Sequence, residues 1–362
     1  MIKPKRLCTG DTVAIVSLSS GMLGEAWAIH KLHIAQERLE RDYGLRVLVM
    51  PNALKGLEYV YEHPEARAKD WMDAFRNPEV KAIFSAIGGD DAIRMLPYID
   101  YDVIRQNPKI FTGFSDTTSN HLMMYKAGVM SYYGASVMTN FSEYVRMNDY
   151  TANAIYNTLF EPKPQLDIPS SPYWYDDEDE KIWWKEENMS ILKQYHPEEL
   201  GYEILQGSGV VEGSLLGGCV DVFPMLVGTS IWPDLGEWRN KILFLETSEE
   251  DMSPELLTYI LRNLAAQGIF DVISGILVGK PARRSKYGPY KDVFRRVVGF
   301  EAGRPELPIL CNVNFGHAEP IGILPYGALC RLDADHKTLT LLESATESCL
   351  DSSRGDSPDH FG

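Results

Sequence analysis

Ser115 stands in the string Phe111-Thr112-Gly113-Phe114-Ser115-Asp116-Thr117, where an apolar run ends and a helix-like pattern begins. A serine at such a corner has two uses. It can cap the helix, because Ser and Asp are favoured N-caps. It can also serve as a nucleophile, because a strand–turn–helix junction exposes the hydroxyl and points backbone N–H groups at the same place. The string is only a near match to G-x-S-x-G, so taken alone it favours the cap.

A nucleophilic serine needs a base, and the base needs a group that orients it. Of the eight histidines, His30 and His33 fall on an amphipathic helix and His63 precedes a proline. His196 lies in a polar segment, His336 in a hairpin turn and His360 near the C-terminus. His121 is on the helix that Ser115 opens, a turn and a half along, and points away. His317 differs: it follows a strand in "NFGHAEP", between Gly316 and Pro320. It is either a loop histidine bonded to backbone or the base. Glu246 closes the apolar strand "ILFLE". Carboxylates are seldom buried unpaired, so a histidine partner suits it. Gly88-Gly89-Asp90-Asp91 ends another buried strand. Its glycines allow close backbone approach, and their N–H groups could help hold an oxyanion. A phosphate loop is the alternative, but the Walker Lys-Ser/Thr is missing and two aspartates repel phosphate.

Composition narrows the function classes. The chain has 362 residues, 44% hydrophobic and 24% charged, enough for two domains of ordinary globular type. The net charge of −16, with no basic patch, argues against nucleic acid. No apolar run approaches the roughly 20 residues that span a bilayer. "MIKPKRLCTGD" has basic residues without an apolar segment after them, so it matches a signal peptide poorly and a cytoplasmic protein is expected. Cys8, Cys219, Cys311, Cys330 and Cys349 are scattered without CxxC spacing. Neither a disulfide framework nor a metal site is expected.

The pattern up to residue 160 alternates strands with helices. Strands read at 12–20, 45–50, 80–89, 109–115 and 129–134, and helices at about 25–43, 64–77 and 117–127. This predicts an α/β fold with a flavodoxin-like parallel sheet, whose strand ends hold the ligand. Residues 161–206 break the rhythm. "SPYWYDDEDEKIWWKEENM" is acidic and aromatic and reads as a linker plus a surface loop. A mixed α/β domain follows over 207–342, closed by a hairpin at 328–342, and residues 343–362 read as a frayed tail.

The stretches "AIGGDDAIRMLPYIDYDVIRQNPKIFTGFSDTT", "EGSLLGG", "LFLETSEE", "GILVGK" and "NFGHAEPIGILPYG" resemble the LD-carboxypeptidase family of serine peptidases. Within it they are most similar to the microcin C self-immunity peptidases. The resemblance implies a triad of Ser115, Glu246 and His317, assembled across the two domains. It implies an oxyanion hole from the N–H groups of Asp116 and Gly89. Muropeptide-cleaving members carry an Arg-Gly-Gly-Tyr-Gly type of string where this chain has Ile87-Gly88-Gly89-Asp90-Asp91. Gly88, Asp90 and Asp91 are therefore expected at the substrate, as in the immunity peptidases. Those also have an aromatic loop that stacks on adenine. Tyr173, Trp174, Tyr175, Trp183 and Trp184 fall in the matching insertion, with Trp174, Trp183 and Trp184 as candidates for stacking. Either they stack on a base or they pin the loop to the protein. Relatives usually have Gly-Gly-Asn where this chain has Gly217-Gly218-Cys219. Cys219, with no histidine near it in sequence, reads as packing.

The implied reaction is cleavage of an aminoacyl or peptidyl nucleotide without metal or organic cofactor, by a homodimer. Cleavage of murein tetrapeptides is the alternative with the same triad. A non-catalytic binder of adenylates is a third reading.

Overall fold

The computed structural model describes residues 1–175 and 183–348. The first sheet is built from β1 (Thr12–Val16), β2 (Arg46–Val49), β3 (Val80–Ser85), β4 (Ile110–Gly113) and β5 (Tyr132–Tyr133). They run parallel in the order β2-β1-β3-β4-β5. Alternate residues of β1 serve different cores: Ala14 and Val16 face one apolar cluster, Val13 and Ile15 the other. A strand buried on both faces must be apolar throughout, which is why "TVAIV" shows no polar alternation.

Residues 161–206 are more than a linker. They hold β6 (Leu166–Asp167), the short pair β7 (Tyr173–Trp174) and β8 (His196–Pro197), and β9 (Glu203–Gln206). β6 and β9 are the two edges of the second sheet. Two-residue strands carry no readable period, and an edge strand such as "EILQ" buries only Leu205, so the pattern hid them.

The second sheet continues with β10 (Val210–Cys219), β11 (Lys241–Glu246), β12 (Gly275–Gly279) and β13 (Ile309–Val313), all parallel. β14 (Leu324–Pro325) crosses back to pair with β5 of the first sheet. β15 (Leu329–Asp333) and β16 (Thr338–Leu341) form the expected hairpin against β10. The full order is β6-β16-β15-β10-β11-β12-β13-β9.

One core joins the sheets. Phe111 and Tyr133 of the first share a cluster with Leu243 and Phe244 of the second. The expected frayed tail is tied down over its first residues. Arg6 N–H donates to the Glu347 carbonyl and Tyr132 hydroxyl to the Ala345 carbonyl. Residues 349–362 lie outside the described residues. Among the described residues, no helix is long and apolar enough to cross a membrane.

The strand pair that carries Glu246 depends on Gly217. A Cβ there would lie 1.8 Å from the Phe244 carbonyl oxygen. We expect Gly217→Ala to cost roughly 3 kcal/mol or more in denaturant unfolding. Gly236→Ala, with nothing within 4 Å of the added methyl, should leave the midpoint nearly unchanged.

Candidate active site

Ser115 follows β4 after one residue, Phe114, and its φ of +64° is the left-handed conformation that a side chain rarely adopts. One tight turn over Ser115–Thr117 then leads into the helix Thr118–Ala127. The strained corner is held from several sides. Thr118 Oγ1 donates to the Ser115 carbonyl at 2.8 Å, and Ser115 N–H donates to the Tyr133 hydroxyl at 3.0 Å. His121 is a brace. Its Nε2–H donates to the Gly113 carbonyl at 2.9 Å and its Nδ1 accepts from Ser131 Oγ at 2.8 Å. Burial pushes its imidazolium down to about 3, so it stays neutral.

The glycine corner meets the serine. A Cβ on Gly88 would sit 2.7 Å from Ser115 Cβ and 3.3 Å from the Asp116 nitrogen. Only a glycine lets the two strand ends approach this closely. Gly89, at φ +144°, is likewise packed on Ser19. The Asp116 carboxylate is buried and accepts from Ser19 Oγ at 2.6 Å and Ala92 N–H at 2.7 Å. Burial raises its pKa, against these two donors.

Glu246 ends β11 with 1% exposure. Its Oε1 accepts from the Tyr133 hydroxyl at 2.5 Å and its Oε2 from His317 Nδ1–H at 2.7 Å. Gly316, at φ +88°, leads into His317, and a Cβ there would strike the Glu246 carboxylate at 2.5 Å. The structure therefore brings the three residues of the sequence reading to one place, with an unforeseen fourth. Tyr133 accepts from the serine amide and donates to the carboxylate, linking Ser115 to Glu246.

His317 Nε2 faces Glu249 Oε2 at 3.1 Å, a close ion contact rather than an aligned hydrogen bond. Asp221 holds the loop that carries Glu249, accepting from Ser248 N–H at 3.0 Å and Ser248 Oγ at 2.8 Å. Burial alone would lower the His317 pKa, but Glu246, then Glu249 and Asp221, reverse this and raise it to about 9. Cys219 is closer to this chemistry than its sequence neighbours suggested. Its sulfur, Glu246 and His317 offer ligand atoms within 4.8 Å of one another. The thiol is held protonated, its pKa raised by burial and then by Glu246 and Asp221. Both carboxylate oxygens already accept hydrogen bonds, so the trio is a poor metal cradle.

A cavity of about 690 Å³ opens onto Ser115 and His317. Gly88, Gly89, Asp90, Asp91, Trp183 and Trp184 line it. Asp91 is committed to Arg67 at 2.6 Å and Arg94 at 2.9 Å, so its carboxylate is an anchor for the corner. Trp174 corrects the sequence reading. It is 7% exposed, packs against His196 and Arg284, and lies outside this cavity. Its place in a two-residue strand turns the ring into the fold, while Tyr175, one residue on, lines the cavity. The sequence also missed Tyr144 and Lys31 in the lining. Residues 176–182 of the aromatic insertion lie outside the described residues.

Ser115 on its strained elbow and His317, oriented by the buried Glu246 carboxylate, line one cavity in a fold of two α/β sheets, an arrangement that can support serine-type hydrolysis. The chain belongs to the LD-carboxypeptidase family: its residues 13–134 match the family's N-terminal domain and 212–332 its C-terminal domain. It is 28% identical to the microcin C7 self-immunity protein MccF of Escherichia coli, over 76% of this chain and 78% of that one. The structure of MccF in complex with aspartyl sulfamoyl adenosine superposes with a TM-score of 0.83 at 26% identity, covering 96% of this chain and all of that one. An MccF-like protein from Streptococcus pneumoniae in complex with AMP gives a TM-score of 0.83 at 34% identity, over 92% and 99%. A probable murein peptide carboxypeptidase of Bacillus subtilis is 28% identical over 96% and 97%.

Two predictions follow from the contacts on Glu246 and His317. Glu249→Gln removes a charge from Nε2, so the His317 pKa should fall below about 9, as read by NMR titration of its ring protons. An unshifted titration would mean that Glu249 contributes nothing there. Tyr133→Phe leaves a buried carboxylate oxygen and an amide without their partner, and should cost about 1–3 kcal/mol in unfolding.

Proposed function

We propose that the protein is a serine hydrolase that cuts the bond between an aminoacyl group and the phosphoramidate or sulfamate of a nucleotide. It would disarm microcin C-like toxic mimics of aminoacyl-adenylates, for self-immunity or detoxification. The observation that carries this reading is that one cavity is lined both by Ser115 and by the rings of Tyr144, Tyr175, Trp183 and Trp184. A base stacked on such rings gains about 1–3 kcal/mol. The ligands of MccF and of the pneumococcal protein, aspartyl sulfamoyl adenosine and AMP, support it. The reading takes the enzyme to be a cytoplasmic homodimer acting without metal or organic cofactor.

The proposed mechanism uses Ser115, Glu246 and His317 as a triad. Substrate entry moves Glu249 off His317 Nε2, and the Nε2 proton is released to water as the imidazole pKa falls. The neutral imidazole, held by Glu246, takes the proton of Ser115 Oγ as the oxygen attacks the acyl carbon. The N–H groups of Asp116 and Gly89 receive the oxyanion. His317 returns the proton to the departing nitrogen, leaving an acyl-enzyme that water hydrolyses by the same route.

A second reading is cleavage of the L,D-peptide bond in murein tetrapeptides. The match to the Bacillus subtilis murein peptide carboxypeptidase over nearly the whole chain favours it.

The test gives the protein and its Ser115→Ala variant aspartyl sulfamoyl adenosine and, separately, a murein tetrapeptide, with products read by mass. We expect cleavage of the adenylate, falling roughly 10⁴-fold or more in the variant. Release of terminal D-alanine alone would move the enzyme to the second reading. Activity untouched by the substitution would remove Ser115 from the chemistry.

A further inference from the structure

Lys31 is placed where a cation is hard to keep. Its residue is 3% exposed. It lies in the first turn of the helix Ile29–Tyr43, at the end whose dipole favours anions. Its amine sits 4.2 Å from the centre of the Tyr144 ring and 5.3 Å from that of Trp184. Among the described residues it makes no ion pair or hydrogen bond. The nearby acids are otherwise engaged. Glu319 pairs with Lys193 at 2.5 Å, and Glu143 accepts from the Tyr195 hydroxyl and the Asn148 amide, each at 2.8 Å. Arg38 gives its donors to the Phe141 and Glu143 carbonyls. Burial, and then Lys193, push the Lys31 pKa down to about 7, with Glu319 and Glu143 opposing.

A buried ammonium without a partner is costly, and a cation over aromatic faces recovers only part of that cost. An apolar residue would fill this position more stably. Yet Lys31 lines the same cavity as Ser115, Trp183 and Trp184. The rest of the lining does not invite anions: Asp90, Glu249 and Glu250 face it too, and the chain carries −16 overall. An anionic ligand entering this cavity therefore needs a local positive charge that no carboxylate has neutralised.

We propose that Lys31 receives the anionic oxygens of the substrate's leaving group, phosphoryl or sulfamoyl in a nucleotide, or carboxylate in a peptide. The inference rests on the reading of this cavity as the reaction site. Both sources present the same oxyanion chemistry, and Lys31 meets it beside the ring wall. Binding supplies the missing counter-charge, which favours the charged amine that burial disfavours in the empty cavity. A neutral ligand of the same shape supplies none.

The experiment compares pairs of ligands that differ in that charge. Calorimetry on the Ser115→Ala protein would measure AMP against adenosine, and a murein tetrapeptide with a free against an amidated terminal carboxyl. The same would be done with Lys31→Met and Lys31→Arg added. Thermal unfolding would check that Met, which keeps the stem's volume, leaves the fold intact. A charge-assisted contact predicts that AMP binds about tenfold or more tighter than adenosine. That preference should vanish in Lys31→Met and survive in Lys31→Arg. If neither nucleoside binds but the free tetrapeptide is preferred through Lys31, the nucleotide reading fails and the role of Lys31 stands. If the preference for charge is absent, or persists in Lys31→Met, the role of Lys31 is overturned whichever ligand binds. Binding of none of the four would overturn both.

Discussion

The carboxylate of Glu246 is the constraint on which the rest depends. It ends an apolar strand at 1% exposure, where an unpartnered charge would cost several kcal/mol. Its partners come from separate parts of the chain: Tyr133 from the first sheet, and the imidazole of His317 from the loop after β13 of the second. Satisfying one buried charge therefore fixes the distance between the sheets. The surroundings make room for it. A Cβ on Gly279 would lie 2.7 Å from Glu246 Cβ, and one on Gly316 would strike the carboxylate itself. Phe244 and Phe315 wall in the Tyr133 ring, which keeps water off the hydrogen bond.

The same tyrosine carries the constraint on to the elbow. Its hydroxyl accepts from the amide of Ser115 while donating to Glu246. The left-handed φ of Ser115 is thus held by the buried charge as well as by its own turn. A residue in that conformation costs of order 1–3 kcal/mol and persists only where its surroundings over-determine it. Here those surroundings are Tyr133, Thr118, the His121 brace on β4 and the glycine at residue 88.

Much of this was legible in the sequence, for physical reasons that differ by residue. Ser115, Glu246 and His317 stand at or just after strand ends, which marked them as candidates, and the family resemblance joined them as a triad. Tyr133 gave no such mark, because "SYYG" reads as ordinary strand. The available signal was that a buried tyrosine hydroxyl needs a partner. Two adjacent tyrosines on opposite faces need two, and Tyr132 spends its own on the Ala345 carbonyl. Glu249 was hidden in the run "ETSEE", where acids read as a solvated turn. Trp174 was grouped with its aromatic neighbours because spacing cannot say which face of a two-residue strand looks inward. The edge strands β6 and β9 were missed for a related reason: the helix and strand periods need more residues than they contain.

His317 shows how the acid surroundings set the terms for any reaction. Its Nδ1 meets Glu246 and its Nε2 meets Glu249, so both nitrogens face carboxylates and both are protonated below about pH 9. At neutral pH the resting ring is therefore mostly the imidazolium, a deficit of the neutral base. In the proposed mechanism the substrate must offset that deficit by displacing Glu249, whose loop is fastened by Asp221 through Ser248. In that mechanism the base is armed by occupancy of the cavity rather than standing ready in the empty enzyme. A ligand that cannot move Glu249 would bind without being cut.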